Sequence, residues 1–297
     1  MKRTFNMIEA PVCAGSPTKG SENAYAALKN AGITAVLGDD AVFTDYGVRP
    51  TDTPYYPDNM KHVGMVVEVS ERIRGCVSEA VRSGEIPLVV GGDHSVAMGT
   101  IAGVSEVYGE DSIAVVYIDG HADINTESST ETGYIHGMPL ASSLGLCSDE
   151  LKIGVGKVKV RGENIHIIGA RSIDDGEYPI IKANSVDLVT ADECRRAGVT
   201  AIADALLQKL AGKKVLVSFD VDSMDETEFA STGYLMPDGL TFAFVRELIK
   251  RVISESDTVS FECVEYNPTL DKAGDDLGKL KLIYSDVADA FGSQDKG

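Results

Sequence analysis

The sequence predicts an α/β protein built on a parallel sheet with helices on both faces. Short apolar runs rich in β-branched residues alternate with helical patterns from end to end. Those runs read as strands buried within a sheet. No long linker, low-complexity tract or internal repeat interrupts the alternation, so residues 1–297 read as one domain.

The spacing places strands at 87–90, 113–118, 164–169, 214–219 and 259–264. A first helix is expected over 64–83, where Met65, Val66, Val69, Ile73, Val77, Ala80 and Val81 recur at three- and four-residue steps and Ser83–Gly84 ends the pattern. Helices are also expected over 95–107, 137–146, 200–211, 241–254 and 277–291. Residues 39–61 hold three prolines and no clear period, and read as irregular. Residues 124–136 and 222–240 are polar, glycine-containing and follow strands directly. Ligands in open parallel sheets sit beyond the carboxyl ends of the strands, so these two loops are expected to line a site.

Composition narrows the function. The chain is 43% hydrophobic and 25% charged, as expected of a soluble globular protein. Its formal charge of −19, from 46 acids against 27 bases, argues against a nucleic-acid partner and against an anionic membrane surface. No stretch approaches the roughly 20 apolar residues of a membrane span. The N-terminus lacks an apolar signal region, so a cytoplasmic location is expected. Five scattered cysteines (Cys13, Cys76, Cys147, Cys194 and Cys263) form no CxxC pair and read as small buried thiols in a reducing compartment.

Four of the expected strands run into polar residues. PLVVGGDHS carries Asp93 and His94. YIDGHADIN carries Asp119, His121 and Asp123. VLVSFDVDSMD carries Asp220 and Asp222, with Asp225 just beyond. VSFECVEYNP carries Glu262 and Glu265. In an extended chain, residues two apart point to the same side. Asp119, His121 and Asp123 should therefore converge, as should Asp220 and Asp222. With His94 they make two imidazoles and four carboxylates at one edge. Burying such a set is expensive unless a cation compensates it. One divalent ion cannot use all six, whereas two ions bridged by shared carboxylates can. A thiolate-free donor set suits manganese better than structural zinc. Such a pair of ions would activate a bridging water as hydroxide.

GGDHS, DGHAD and SFDVDSMD, in that order, resemble the three signature blocks of the ureohydrolase superfamily, which includes arginases, agmatinases and formimidoylglutamases. The resemblance spans nearly the whole chain. It implies a three-layer αβα fold around an eight-stranded parallel sheet. It also implies two Mn2+ per subunit, hydrolysis of a guanidinium group to urea, and a homo-oligomer, trimer or hexamer. By position, one ion would take His94, Asp119, Asp123 and Asp220. The other would take His121, Asp119, Asp220 and Asp222, with Asp119 and Asp220 as bridges. The resemblance gives Asp123 a hydrogen bond to the bridging hydroxide, His136 a proton-shuttling role and Glu265 a pairing with the guanidinium.

The loop INTESSTETGYIHG and the following HGMPLASSLGL look most like bacterial arginases. That likeness implies that Asn125 and Thr132 contact an amino acid's carboxylate. It further implies that Asp174, with Glu177 behind it, receives the α-amino group. The substrate expected is a small guanidino compound, L-arginine first. Agmatine or another guanidino or formimidoyl compound is the alternative, and a catalytically silent relative is the rival from another class. Three departures bear on selectivity. Asp225 is followed by Glu226 where the family usually has Pro. TGYLMPDGL replaces the usual TGTP and two glycines, and Tyr134 stands where many arginases carry Asn.

Overall fold

The computed structural model describes residues 4–47 and 57–294. In chain order the elements are β1 (Phe5–Glu9), α1 (Ala24–Asn30), α2 (Thr34–Leu37), β2 (Val42–Thr44), α3 (Val63–Arg82) and β3 (Ile86–Val90). They continue with α4 (Ala97–Tyr108), β4 (Ile113–Ile118), α5 (Pro139–Ser143), β5 (Ile165–Ala170), α6 (Glu177–Ala183) and β6 (Asp187–Thr190). The last are α7 (Ala191–Ala197), α8 (Val199–Lys209), β7 (Lys214–Asp220), α9 (Phe242–Glu255), β8 (Asp257–Val264) and α10 (Asp275–Gln294). The eight strands form one sheet in the order β2-β1-β3-β8-β7-β4-β5-β6, and every neighbouring pair is parallel.

Alternate residues of the strands feed two cores. Met7, Leu88, Ala114, Val217 and Phe261 face the layer that holds α9 and α10, where Leu248, Ile249, Ile283 and Tyr284 are buried. Ile8, Val89, Val115, Leu216 and Val264 face α3 and α4 on the other side. The result is the expected three-layer αβα arrangement. Helices α3 and α4 come together over small residues. A Cβ built on Gly99 would lie 2.4 Å from the Ser70 carbonyl, and one on Gly103 would lie 2.7 Å from the Val77 Cβ.

The expected strands and long helices appear within a few residues of their predicted limits. The helix expected over 137–146 shortens to Pro139–Ser143, because Leu144 and Gly145 turn the chain into a loop. The segment 39–61 is not wholly irregular: Val42–Thr44 pairs with β1, while residues 48–56 of it lie outside the described residues. Strands β1 and β6 had no place in the sequence reading either. All five cysteines are free, but Cys13 and Cys76 are only half-buried, contrary to the expectation for them. No helix among the described residues is long and apolar enough to cross a membrane.

Candidate metal centre

Four adjacent central strands, β3, β8, β7 and β4, deliver their carboxyl ends to one place. After β3, the buried Asp93 caps a 3-10 turn by accepting from the Ser95 N–H, and this sets His94 on the site face. The His94 Nδ1 then lies 2.8 Å from Asp119 Oδ2, 3.1 Å from Asp220 Oδ2 and 3.3 Å from Asp123 Oδ2. His121 Nδ1 lies 3.1 Å from Asp222 Oδ2 and 3.5 Å from Asp119 Oδ1. Five of the six sequence-predicted residues fall in two groups with donor spacing fit for a metal ion, His94, Asp119 and Asp220, then Asp119, His121 and Asp222, while Asp123 approaches His94 without joining either group. Asp119 belongs to both. Asp220 stands only in the first, its other oxygen accepting from the Asp222 N–H at 2.8 Å.

The local route to this convergence differs from the one expected. Strand β4 ends at Ile118, so Asp119, His121 and Asp123 follow the strand and owe nothing to its pleat. The turn is folded by side chains: Asp119 Oδ1 accepts from the His121 N–H at 2.7 Å, and Asp123 takes a left-handed φ of 48°. Asp222 likewise sits in a 3-10 turn after β7. Glu262 lies within β8 and not at its end. Asp225 turns away to cap its own loop, accepting from Thr227.

The hydrogen-bond network fixes the state of His94. Ser218 Oγ donates to Glu262 Oε1 at 2.6 Å, so its single proton is committed. The contact of 2.8 Å between His94 Nε2 and Ser218 Oγ must then carry the imidazole proton. Glu262 also accepts from Thr100. A neutral imidazole would then present the Nδ1 lone pair to three carboxylates. Neither Nδ1 nor Asp119 Oδ2 makes a hydrogen bond, although both are fully buried. Oxygen and nitrogen lone pairs aimed at one point repel unless a proton or a cation lies between them. The residues present fit divalent metal.

The electrostatics agree. Burial alone would pull the His94 and His121 imidazoles down, but the carboxylates around each hold both well above their ordinary values. Burial and mutual repulsion raise Asp220 and Asp123. Burial also raises Asp222, although His121 pulls against it. Burial opposes the Asp119 charge too, yet the two imidazoles win and hold it low.

Beside the centre opens a cavity of about 220 Å³, lined among others by His121, Asp123, Asn125, Thr132, His136 and Asp174. His136 Nδ1 faces Glu265 Oε1 at 3.4 Å, and that oxygen accepts from the His94 backbone N–H at 3.0 Å. Burial works against a His136 cation, and Glu265 outweighs it. Glu177 lines the cavity but is committed to the backbone, accepting from the Ile124 and Asp174 N–H groups. Burial pushes its carboxyl up to about 7. A larger cavity, about 360 Å³, lies near the amino-terminal ends of β4 and β5. Two of its cations are spent on ion pairs, Arg74 with Glu71 and Glu106, and Arg161 with Asp111 and Glu110.

Tyr117 and Arg171 escaped the sequence reading, whereas Tyr234 belongs to the TGYLMPDGL departure expected to border the site. Tyr117 stacks on His94 (4.2 Å between centroids, 7° between planes) and donates to Asp123 Oδ2 at 2.8 Å. Arg171 reaches the Asp222 and Met224 carbonyls at 2.8 and 3.0 Å and so ties down the turn that carries Asp222. Tyr234 stacks on His136 at 5.4 Å and meets His121 edge-on at 5.5 Å.

A family model described as the arginase family matches residues 4–284. An arginase of Brevibacillus brevis is 32% identical over 279 residues, covering 92% of this chain and 93% of that protein. The crystal structure of an arginase from Bacillus subtilis superposes with a TM-score of 0.87 at 30% identity, covering 97% of this chain and 98% of that one. One from Bacillus cereus gives 0.88 at 29% identity, covering 97% and 98%. A family match over nearly the whole length, the same eight-stranded fold and two clusters of buried donors at its carboxyl edge agree: the chain belongs to the arginase family and is an arginase-like ureohydrolase.

Proposed function

We propose that residues 1–297 form one hydrolase domain that holds two Mn2+ and cleaves the guanidinium group of L-arginine to ornithine and urea. The observation that carries this reading is the pair of buried, unbonded donors, His94 Nδ1 and Asp119 Oδ2, where Asp119, Asp123 and Asp220 meet. His94, Asp119, Asp123 and Asp220 would hold one ion, and His121, Asp119, Asp220 and Asp222 the other. When bound, the ions would supply a water acidic enough to act as a nucleophile at neutral pH.

The chain's own residues do the rest. Asp123 Oδ2, held by Tyr117, accepts a hydrogen bond from the attacking water and so aims it at the guanidinium carbon. Glu265 offers a carboxylate to the planar cation, a pairing matched in shape and charge. His136 turns Nδ1 to Glu265, which leaves Nε2 to give the departing amine its proton. Asp174 receives the α-amino group, with Glu177 fixing the backbone behind it. Asn125 and Thr132 lie on the side of the carboxylate. We place the enzyme in the cytoplasm, as a trimer or hexamer.

A different guanidino substrate is the second reading. It is favoured by Tyr134 and Tyr234, which give the cavity two aromatic walls. The test is a screen of arginine, agmatine, guanidinobutyrate and formimidoylglutamate with manganese-loaded protein, scored by product. Urea from arginine, lost in Asp123→Asn and His136→Ala, is the expected outcome. Tight manganese binding with no product from any of the four would mark a silent family member.

A further inference from the structure

The proposed chemistry asks His136 to give the departing amine its proton, yet hydrogen bonds do little to hold its ring. The backbone is fixed, its N–H donating to the Gly15 carbonyl at 3.0 Å. The imidazole has one polar contact among the described residues, from Nδ1 to Glu265 Oε1 at 3.4 Å. That is longer than a well-formed N–H···O bond, so it restrains the ring weakly. A proton donor must be aimed closely, because a misplacement of about 1 Å can cost about a hundredfold in rate.

Aromatic contacts supply what that bond lacks. Tyr234 stacks on the His136 ring, with centroids 5.4 Å apart and planes at 29°, and it meets His121 edge-on at 5.5 Å. Tyr134 meets the same His136 ring edge-on at 6.4 Å. These spacings and orientations are favourable for aromatic pairs. Both tyrosines line the cavity with His136. The Tyr234 hydroxyl makes no hydrogen bond with the described residues, so the contact it offers the site is that of its ring.

The loop that carries Tyr234 is tied down on both sides of it. Before it, Asp276 Oδ2 accepts from the Ser231 N–H at 3.0 Å and from Ser231 Oγ at 2.8 Å, and the Ser231 carbonyl accepts from the Asn267 N–H at 2.8 Å. After it, Arg171 donates to the Met236 and Pro237 carbonyls at 3.2 and 3.1 Å. A Cβ built on the neighbouring Gly233 would lie 3.0 Å from the Thr18 Cβ, so the loop also packs closely on the amino-terminal segment. A ring delivered by a fixed loop is a wall against which an imidazole can settle.

We propose that Tyr234 is a positioning residue, whose ring face holds the His136 imidazole with Nδ1 on Glu265 and Nε2 toward the departing amine. This rests on the reading of the site as a guanidino hydrolase with His136 as proton donor.

The test compares manganese-loaded wild type, Tyr234→Phe and Tyr234→Leu in two ways. Crystal structures of the full chain should show His136 Nδ1 facing Glu265 in the wild type and in Tyr234→Phe, and the imidazole turned away or split between rotamers in Tyr234→Leu. Arginine kinetics should show kcat about ten- to hundredfold lower in Tyr234→Leu, with KM and manganese affinity unchanged, while Tyr234→Phe keeps most of the wild-type rate. An imidazole that keeps its place in Tyr234→Leu, or an unchanged kcat, overturns the proposal. So does a raised KM at constant kcat, which would make Tyr234 a substrate contact. Loss of manganese along with the rate would put the effect at His121, and a Phe variant as impaired as the Leu variant would put it at the hydroxyl; either result also overturns it. Tyr234→Met, likewise without a ring, takes the place of Tyr234→Leu should that chain not fold. Failure of the hydrolase reading gives a different result, no product from any guanidino compound in the wild type, and the crystal comparison decides even then whether Tyr234 holds the ring.

Discussion

At the scale of single residues, the centre depends on groups that touch no reacting atom. Ser218 decides which nitrogen of His94 carries the proton, and Glu262 decides where the serine proton points. Ser218→Ala should therefore lower manganese affinity by roughly 10- to 100-fold, the usual effect of removing a partner behind a metal-binding histidine. Competitive titration with a metal indicator measures this, and an unchanged affinity would contradict the assigned tautomer. The site histidines and aspartates were legible because ionisable residues after apolar runs stand out. Ser218 was not. A serine inside VLVSFD carries no signal until the sheet register sets it beside Glu262. Asp119, His121 and Asp123 converge through a turn after β4 and not through its pleat, and Asp222 sits in a 3-10 turn after β7, which ends at Asp220.

At the scale of elements, the central strands were legible and the outer ones were not. Strands β3 and β4 are continuous apolar runs buried on both faces, and β7 and β8 are buried along all but their first residue around the apolar stretch 215–217 and Phe261, although they also carry Ser218, Ser260 and Glu262. Strand β1 reads FNMIE, with polar residues at both flanks of its apolar pair, β2 has only three residues, and β6 is only half-buried. The outer part of the sheet is held by polar contacts. Asp187 on β6 faces His166 Nδ1 on β5 at 3.0 Å and Lys209 of α8 at 2.7 Å. These partners lower its carboxyl to about 2, the His166 contact most strongly. A carboxyl lowered in the folded state stabilises the fold above its ordinary range, and that support is lost as pH falls from about 4 through about 2. Asp187→Asn should lower stability by about 2 kcal/mol at pH 7, with the difference from wild type closing in that acid window. Urea unfolding at a series of pH values reads both parts.

The α3–α4 contact gives a second test at this scale. Alanine is the better helix former by about 1 kcal/mol, so Gly103→Ala would stabilise an exposed helix. Here the added methyl would meet the Arg74 carbonyl at 2.8 Å and Val77 Cβ at 2.7 Å. Overpacking of this kind costs about 1–3 kcal/mol, so net destabilisation is expected, seen as a lower urea midpoint. A higher midpoint would show that the two helices separate without strain.

At the scale of the whole molecule, the excess of acid shapes stability. The chain carries a formal charge of −19, and several of its acids are buried at the centre, where burial and mutual repulsion act on them. Ions that bind only the folded chain stabilise it by mass action. Removing divalent metal with a chelator should lower Tm by roughly 5–10 °C, and manganese should restore it in a concentration-dependent way. Scanning calorimetry of chelated and reloaded protein measures the shift, and identical transitions would argue against metal at this site.

The gathering of the centre from the ends of β3, β4, β7 and β8 sets an order of events during synthesis. A nascent polypeptide that ends just before residue 220 has both imidazoles of the centre, Asp119 and Asp123 but lacks Asp220 and Asp222. Because β8 lies between β3 and β7 in the sheet, productive ion capture must also wait for β8, which ends at Val264. Incomplete or prematurely terminated copies are thereby prevented from sequestering a full pair of ions.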